Sequence, residues 1–359
     1  MPETQTTPIE KKVIFTCGDR DFSVHDVIDA AHFRGELEAE WNNLLRCVAA
    51  EKKADEQDLE FSDEAIDTVA EQFRYQHDLI TAEETERWLA ERGLTLSDFS
   101  AYFVRHYWGE QWHDIEPEAI DLFSAPGDLR ELLTNELILS GELDRMAQRL
   151  SWRVAAGCAA EGKAIDPPLI AAEEALFFER SGLTEDHLAT WLERVGRDPG
   201  WFRDALTMEA IQRRDCAALL SRPAREREIA ALRLPLTCFE VETIELDSLD
   251  AAREALLCAR EDGMAMEEVA ADGRYPYRHT EVLLEEIPEE LQQKFLSVHP
   301  GDILEPIAHG DGFHLCRIIG KAEPDVDDPT VQERADNRIL DRHFADLTTR
   351  YILWQILLA

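Results

Sequence analysis

From about residue 25 to 230, apolar side chains recur at intervals of three and four, as in Leu37, Trp41, Leu44, Leu45, Val48 and again in Ile66, Val69, Phe73. That spacing puts them on one stripe of a helix and predicts an almost wholly helical region. Ser62-Asp63-Glu64 and Thr81-Ala82-Glu83-Glu84 place a capping side chain ahead of acidic residues, which marks helix starts. Upstream, Val13–Thr16 reads as a short strand, Gly18–Arg20 as a turn, and Ser23 as the cap of a first helix. Near residue 234 the period changes. Phe239 to Leu246 alternates apolar and polar, the signature of a strand. Beyond it the pattern predicts helices over 247–261, 266–270 and 289–297, an irregular stretch over 271–281, and a turn at His299-Pro300-Gly301-Asp302. Strands follow at 303–307 and 313–319, joined by a hairpin turn at His309-Gly310-Asp311-Gly312. Pro324–Pro329 reads as a linker, and Thr330 to Leu358 as one closing helix whose apolar end must bury itself.

The helical region resembles itself. Gly35-Glu36-Leu37 recurs as Gly141-Glu142-Leu143. Trp88-Leu89 and Phe99 recur as Trp191-Leu192 and Phe202, with Phe73-Arg74 set against Glu179-Arg180. Two widely separated anchors at nearly one offset point to a duplicated unit, over about 30–112 and 136–219. The expected fold is therefore mainly α with a small α+β domain. It divides into a flexible tail (1–12), a helical region (13–233), an α+β domain (234–322), and a C-terminal helix (329–359) packing back on the helical region.

The 359 residues carry a formal net charge of −38, with 45% hydrophobic residues. So acidic a surface repels phosphate backbones and anionic lipid, which argues against nucleic-acid and membrane partners. No apolar run reaches the length of a membrane span, and the N-terminus lacks the apolar segment of a secretory signal. Seven cysteines are scattered without CxxC spacing, as expected of reduced cytoplasmic thiols and not of a disulfide framework or zinc site. The P-loop, nucleophile-elbow, HExxH and Rossmann glycine patterns are absent, so the sequence supports neither a cofactor nor a metal.

Residues 236–321 resemble the parvulin domain of peptidyl-prolyl isomerases. The similarity rests on Gly263 to Ala270, on Leu291 to Ser297 with Pro300-Gly301-Asp302-Ile303, and on Gly310-Asp311-Gly312-Phe313-His314-Leu315. The helical part resembles the N-terminal domain of SurA/PpiC-type chaperones through Thr16 to Val27, Phe61 to Asp67 and Leu94 to Val104. The resemblance implies a SurA-N-like helical bundle, a parvulin-like domain and a returning C-terminal helix. It also implies an extended, proline-containing or unfolded peptide as client, with a ribosomal precursor peptide as one candidate.

Rotating an X–Pro bond needs no covalent step, only an apolar slot for the ring and polar groups that favour the twisted amide. The resemblance places the second parvulin histidine on His314 and the first on Thr243, whose hydroxyl is expected to hydrogen-bond His314. The apolar shelf falls on Ile287 and Leu291, and Phe313 flanks the histidine. The long catalytic loop is shortened, so the domain is degenerate. A histidine on an apolar strand is, by itself, more often a core residue. His106 and His113, seven apart, share a helix face, but Tyr102, Phe103, Tyr107, Trp108 and Trp112 interleave, which favours an aromatic packing face over a metal site. Tyr102 and Trp108 are then candidates for contacting a client. The leading expectation is a cytoplasmic peptide-binding chaperone or peptide-maturation factor. An active prolyl isomerase and a structural adaptor in a peptide-modifying complex are the alternatives.

Overall fold

The computed structural model describes residues 9–161 and 164–355. Its elements, in chain order, begin with β1 (Val13–Cys17), β2 (Arg20–Ser23), α1 (Val24–Phe33), α2 (Glu38–Glu56), α3 (Asp63–Gln76), α4 (Ala82–Glu91) and α5 (Leu96–Gln111). There follow α6 (Gly127–Leu139), α7 (Glu142–Ala159), α8 (Pro167–Ser181), α9 (Glu185–Val195), α10 (Pro199–Leu219) and α11 (Arg222–Ala231). The remainder comprises β3 (Cys238–Leu246), α12 (Leu249–Arg260), α13 (Met266–Gly273), β4 (Tyr277–Leu283), α14 (Glu289–Ser297), β5 (Ile307–His309), β6 (Gly312–Ala322), α15 (Pro329–Tyr351) and β7 (Leu353–Trp354). The protein is mainly α-helical with a small α+β part. It forms two compact units, one of residues 1–216 with 343–359, the other of residues 217–342.

In the first unit, capping chemistry sets the helix starts. Ser23, Thr81 and Thr95 each accept a bond from the backbone N–H three residues on, while the carboxylates of Asp26, Glu84 and Asp98 accept one from the cap's own backbone N–H. Helices α2–α5 and α7–α10 follow one another as two sets of four. Gly35 and Gly141 introduce them with matching left-handed φ values of 72° and 74°, a conformation glycine adopts without penalty. Each set closes on three rings. Phe73 meets Trp88 at 5.6 Å and Phe99 at 5.3 Å; Phe177 meets Trp191 at 5.1 Å and Phe202 at 5.0 Å. The packing thus pairs Phe73 with Phe177, where the sequence comparison had set Phe73-Arg74 against Glu179-Arg180. Periodic Leu/Glu/Arg text allows that slip; ring geometry does not.

The sets are interleaved. Helix α1 packs on α7, and α2 on α6. Phe33, the last residue of α1, stacks on Phe177 at 5.0 Å. Leu139, the last residue of α6, is buried in the cluster that holds Phe73, Trp88 and Phe99. Asp29 and Glu136, both buried, are held by Arg197 and by Arg105 with His106. Strand β1 lies between β2 and β7, so segments from near both ends of the chain share one small sheet. The closing helix predicted to Leu358 ends at Tyr351, and Leu353–Trp354 pair with Thr16 and Phe15 instead. Phe344 on α15 stacks on Trp152 at 5.1 Å. Residues 1–8 of the expected tail and 356–359 of the expected helix lie outside the described residues; Ile9–Lys11 form a 3-10 turn.

In the second unit the sheet order is β4-β3-β6-β5, all antiparallel. Helix α13 extends into the start of the stretch expected to be irregular, and strand β4 occupies its second half, from Tyr277 on. Its run of four exposed residues, Arg278 to Glu281, hides the alternation that a half-buried strand shows.

Removing one ring of either trio leaves a cavity in a packed core. Phe73→Ala and Phe177→Ala should each destabilise the protein by about 3–5 kcal/mol. Tyr75→Ala, at a position 61% exposed, should change stability by less than about 0.5 kcal/mol. Chemical denaturation followed by circular dichroism measures all three.

Candidate functional site

Strand β3 sits at the centre of the second unit's sheet, so its side chains alternate between two covered faces. Ile244 and Leu246 face α12 and α13, in a cluster with Ala252, Met266 and Leu315. Phe239 and Val241 face the other way, with Ile287 and Phe295 of the α14 region. Antiparallel register carries β6 along. Thr243 lies opposite Cys316, Glu245 opposite His314, and His314 opposite Ile307 of β5. Directly opposed residues share a face. Thr243, Glu245, His314 and Cys316 therefore stand on the α14 side, beside the apolar cluster in which Ile287 is buried and Leu291 half-buried.

The register also decides who bonds whom. The Thr243 hydroxyl meets the Cys316 thiol at 3.7 Å, not His314 as the sequence led us to expect. His314 sits diagonally across from Thr243, and its ring instead stacks on His309 at 4.1 Å. Burial first, then the neighbouring His309, lower the His314 pKa from its ordinary value; Glu245 opposes this, although its carboxylate is shared with Arg278 at 2.9 Å. The ring is accordingly neutral at pH 7, with one nitrogen to donate and one to accept. Burial also raises the Cys316 thiol pKa, which keeps it a weak hydrogen-bonding group and not a thiolate. Phe313 falls on the opposite face, packed against the cluster of Ile244 and Leu246, and so away from His314. At the turn between β5 and β6, Gly310 takes a φ of 55°. A Cβ on Gly312 would come within 2.6 Å of the Leu246 carbonyl oxygen, so this corner requires a glycine.

The other two named residues belong to the first unit. Tyr102 is half-buried, edge-on to Phe103 and over His106. Trp108 is 7% exposed and stacked on Trp112 at 5.2 Å. Both make ring contacts along α5. His106 is engaged by Glu136 at 2.8 Å, and the exposed His113 by Asp114. Among the described residues, no group of three or more potential metal ligands is assembled. No described helix is long and apolar enough to cross a membrane.

Sequence reasoning missed a cavity of about 430 Å³ in the first unit, lined by His32, Trp41, Phe123, Phe177, Trp191 and Arg180 among others. Its walls are tied down. The Trp41 indole donates to the Ile120 carbonyl at 2.7 Å, Arg180 donates to the Phe33 carbonyl at 2.6 Å, and Arg194 binds Asp121 and Ser124. His32 lies between Phe123 and Trp191; burial pushes its pKa down to about 4. Phe123 falls between the two expected units and Trp191 within the second, so no local signal joined them.

No family model matches the chain, and none of the curated proteins matches it. Among solved structures, the peptidylprolyl isomerase PrsA from Bacillus cereus is 13% identical, covers 56% of this chain and 80% of its own, and gives a TM-score of 0.37. The foldase PrsA from Lactococcus lactis is 10% identical, with coverage of 96% and 95% and a TM-score of 0.26. A SurA-like chaperone from Campylobacter jejuni is 8% identical, with coverage of 61% and 88% and a TM-score of 0.20. Likenesses this distant assign the chain to no family.

His32 gives a pH test with a definite sign. An unfolded histidine takes up its proton near pH 6.5, whereas the buried ring resists until about 4. Stability falls as pH drops through that window, because the unfolded state then binds the extra proton. At pH 5 the loss from this group should be about 2 kcal/mol relative to pH 7. Urea unfolding at the two pH values should show a correspondingly smaller drop for His32→Phe than for the parent.

Proposed function

We propose that this protein is a chaperone-type peptide-binding protein whose small α+β unit receives an extended, proline-containing segment on the α14 face of its sheet. One observation carries the reading. The β3–β6 register gathers a neutral His314, the Thr243–Cys316 polar pair and the apolar Ile287 and Leu291 on the same side of four strands. An apolar shelf beside a few fixed polar groups is what a proline ring and its preceding amide require. The helical unit supports the reading with an aromatic-lined cavity able to take an apolar side chain.

The same geometry favours binding over catalysis. Isomerisation must cross roughly 18–20 kcal/mol, so a catalyst needs polar groups aimed at the twisted amide. Here Thr243 is turned to Cys316, and His314 to His309. The active-isomerase reading retains the support of these groups sharing one face, and a single experiment separates the two.

Cis–trans exchange in a panel of X–Pro peptides, followed by NMR, should show binding without acceleration. Leu291→Asp should weaken that binding at least tenfold, a change of about 1.4 kcal/mol. Acceleration that vanishes in His314→Ala would replace the binding reading with an isomerase. Failure of the folded protein to bind any of the peptides would overturn both.

A further inference from the structure

Cys17 closes β1 and is buried, while Cys158 lies in the last turn of α7 and is partly exposed. They are 141 positions apart in the chain, yet their sulfur atoms approach to 2.6 Å. Two unbonded sulfurs do not rest so close, whereas a disulfide brings them to about 2.05 Å. Both residues belong to the first unit, and both are held by regular structure. Cys17 is fixed by the β1–β2 hairpin, opposite Arg20, and α7 packs on β1. Both backbones are thus held by regular structure on either side of the contact.

From this juxtaposition we infer that Cys17 and Cys158 are a specific oxidation site, which a small-molecule disulfide converts to an intramolecular cystine tying β1 to α7. The step balances as a thiol–disulfide exchange. Cys158, the accessible partner, attacks one sulfur of the oxidant as its thiolate; an S–S bond forms, the oxidant's own S–S bond breaks, and one thiol of the oxidant leaves. Cys17 then attacks the Cys158 sulfur and expels the second thiol. Two electrons pass from the cysteine pair to the oxidant, and the two cysteine protons end on the released thiols. Burial and the adjoining Cys158 sulfur push the Cys17 thiol pKa up to about 12. That makes Cys17 the slow resolving partner and Cys158 the first to react.

The bond would act on a particular place in the fold. Strand β1 is the middle strand between β2 and β7, so the cystine would anchor the sheet that gathers both ends of the described chain. This goes beyond the proposed peptide-binding face, which uses neither cysteine. It also departs from the expectation, drawn from scattered cysteines, of seven reduced thiols.

The test uses the full chain, incubated with oxidised glutathione and then titrated for free thiols and digested for mass spectrometry. Two of the seven thiols should disappear, with one peptide pair joining Cys17 to Cys158. The oxidised form should melt higher by about 5–10 °C. In Cys17→Ser, glutathione should remain attached to Cys158, because the resolving thiol is gone. Seven thiols still titratable after oxidation, or a link between other cysteines, would overturn the assignment. So would loss of both thiols as separate glutathione adducts in the parent chain.

Discussion

The helical unit depends on one repeated contact, a phenylalanine set edge-on against both a tryptophan on the short helix that follows and a phenylalanine on the helix after that. Phe73, Trp88 and Phe99 form it once, and Phe177, Trp191 and Phe202 form it again. Edge-to-face rings of this kind bury large areas and fix the angles at which their helices meet. Each trio also draws on a helix outside its own set. Phe33 from α1 completes the second, and Leu139 from α6 joins the cluster of the first. The two sets of helices are therefore packed into one another, and the cavity beside His32 lies where they meet: its lining draws on Trp41 from one set and on Phe177 and Trp191 from the other.

The acidic composition sets a second constraint. Carboxylates that end up inside must find a cation, because an unpaired buried charge is costly. Each of the deepest ones has its arginine: Asp29 with Arg197, Glu136 with Arg105, Glu173 with Arg213, and Glu228 with Arg342. These pairs serve as positional constraints more than as sources of stability. Arg197 bridges Asp26 and Asp29 on α1 from the far end of α9, and so helps fix the helix that carries Phe33.

Much of this architecture is legible in the sequence. Ser23, Ser62 and Thr81 announce their helices through the bonds they make, and the alternation of β3 is plain. What escapes is structure whose cause lies elsewhere in the chain. Strand β4 exists because β3 offers it a partner, not because Arg278 to Glu281 look like a strand. Strand β7 continues the apolar run of the closing helix, and short apolar runs do not declare their period. The site shows the same division. His314 was visible only through resemblance, and its neighbours depend on the register of β3 against β6. Those strands are not consecutive, so no turn between them fixes that register. The sequence could place Thr243 and His314 on adjacent strands, but not decide that Thr243 would face Cys316.

The three-stranded sheet of the helical unit has a temporal consequence. Strand β1 leaves the ribosome before the helices that follow it, and β2 can fold back on it at once. Among the described residues its other edge is covered by Leu353 and Trp354, which are made after every helix described. At ordinary elongation rates that edge stays open for on the order of half a minute, a row of unpaired backbone groups with Phe15 beside it. A growing chain in this condition is exposed to strand pairing with its neighbours. Completion of this small sheet thus waits until β7 has been made.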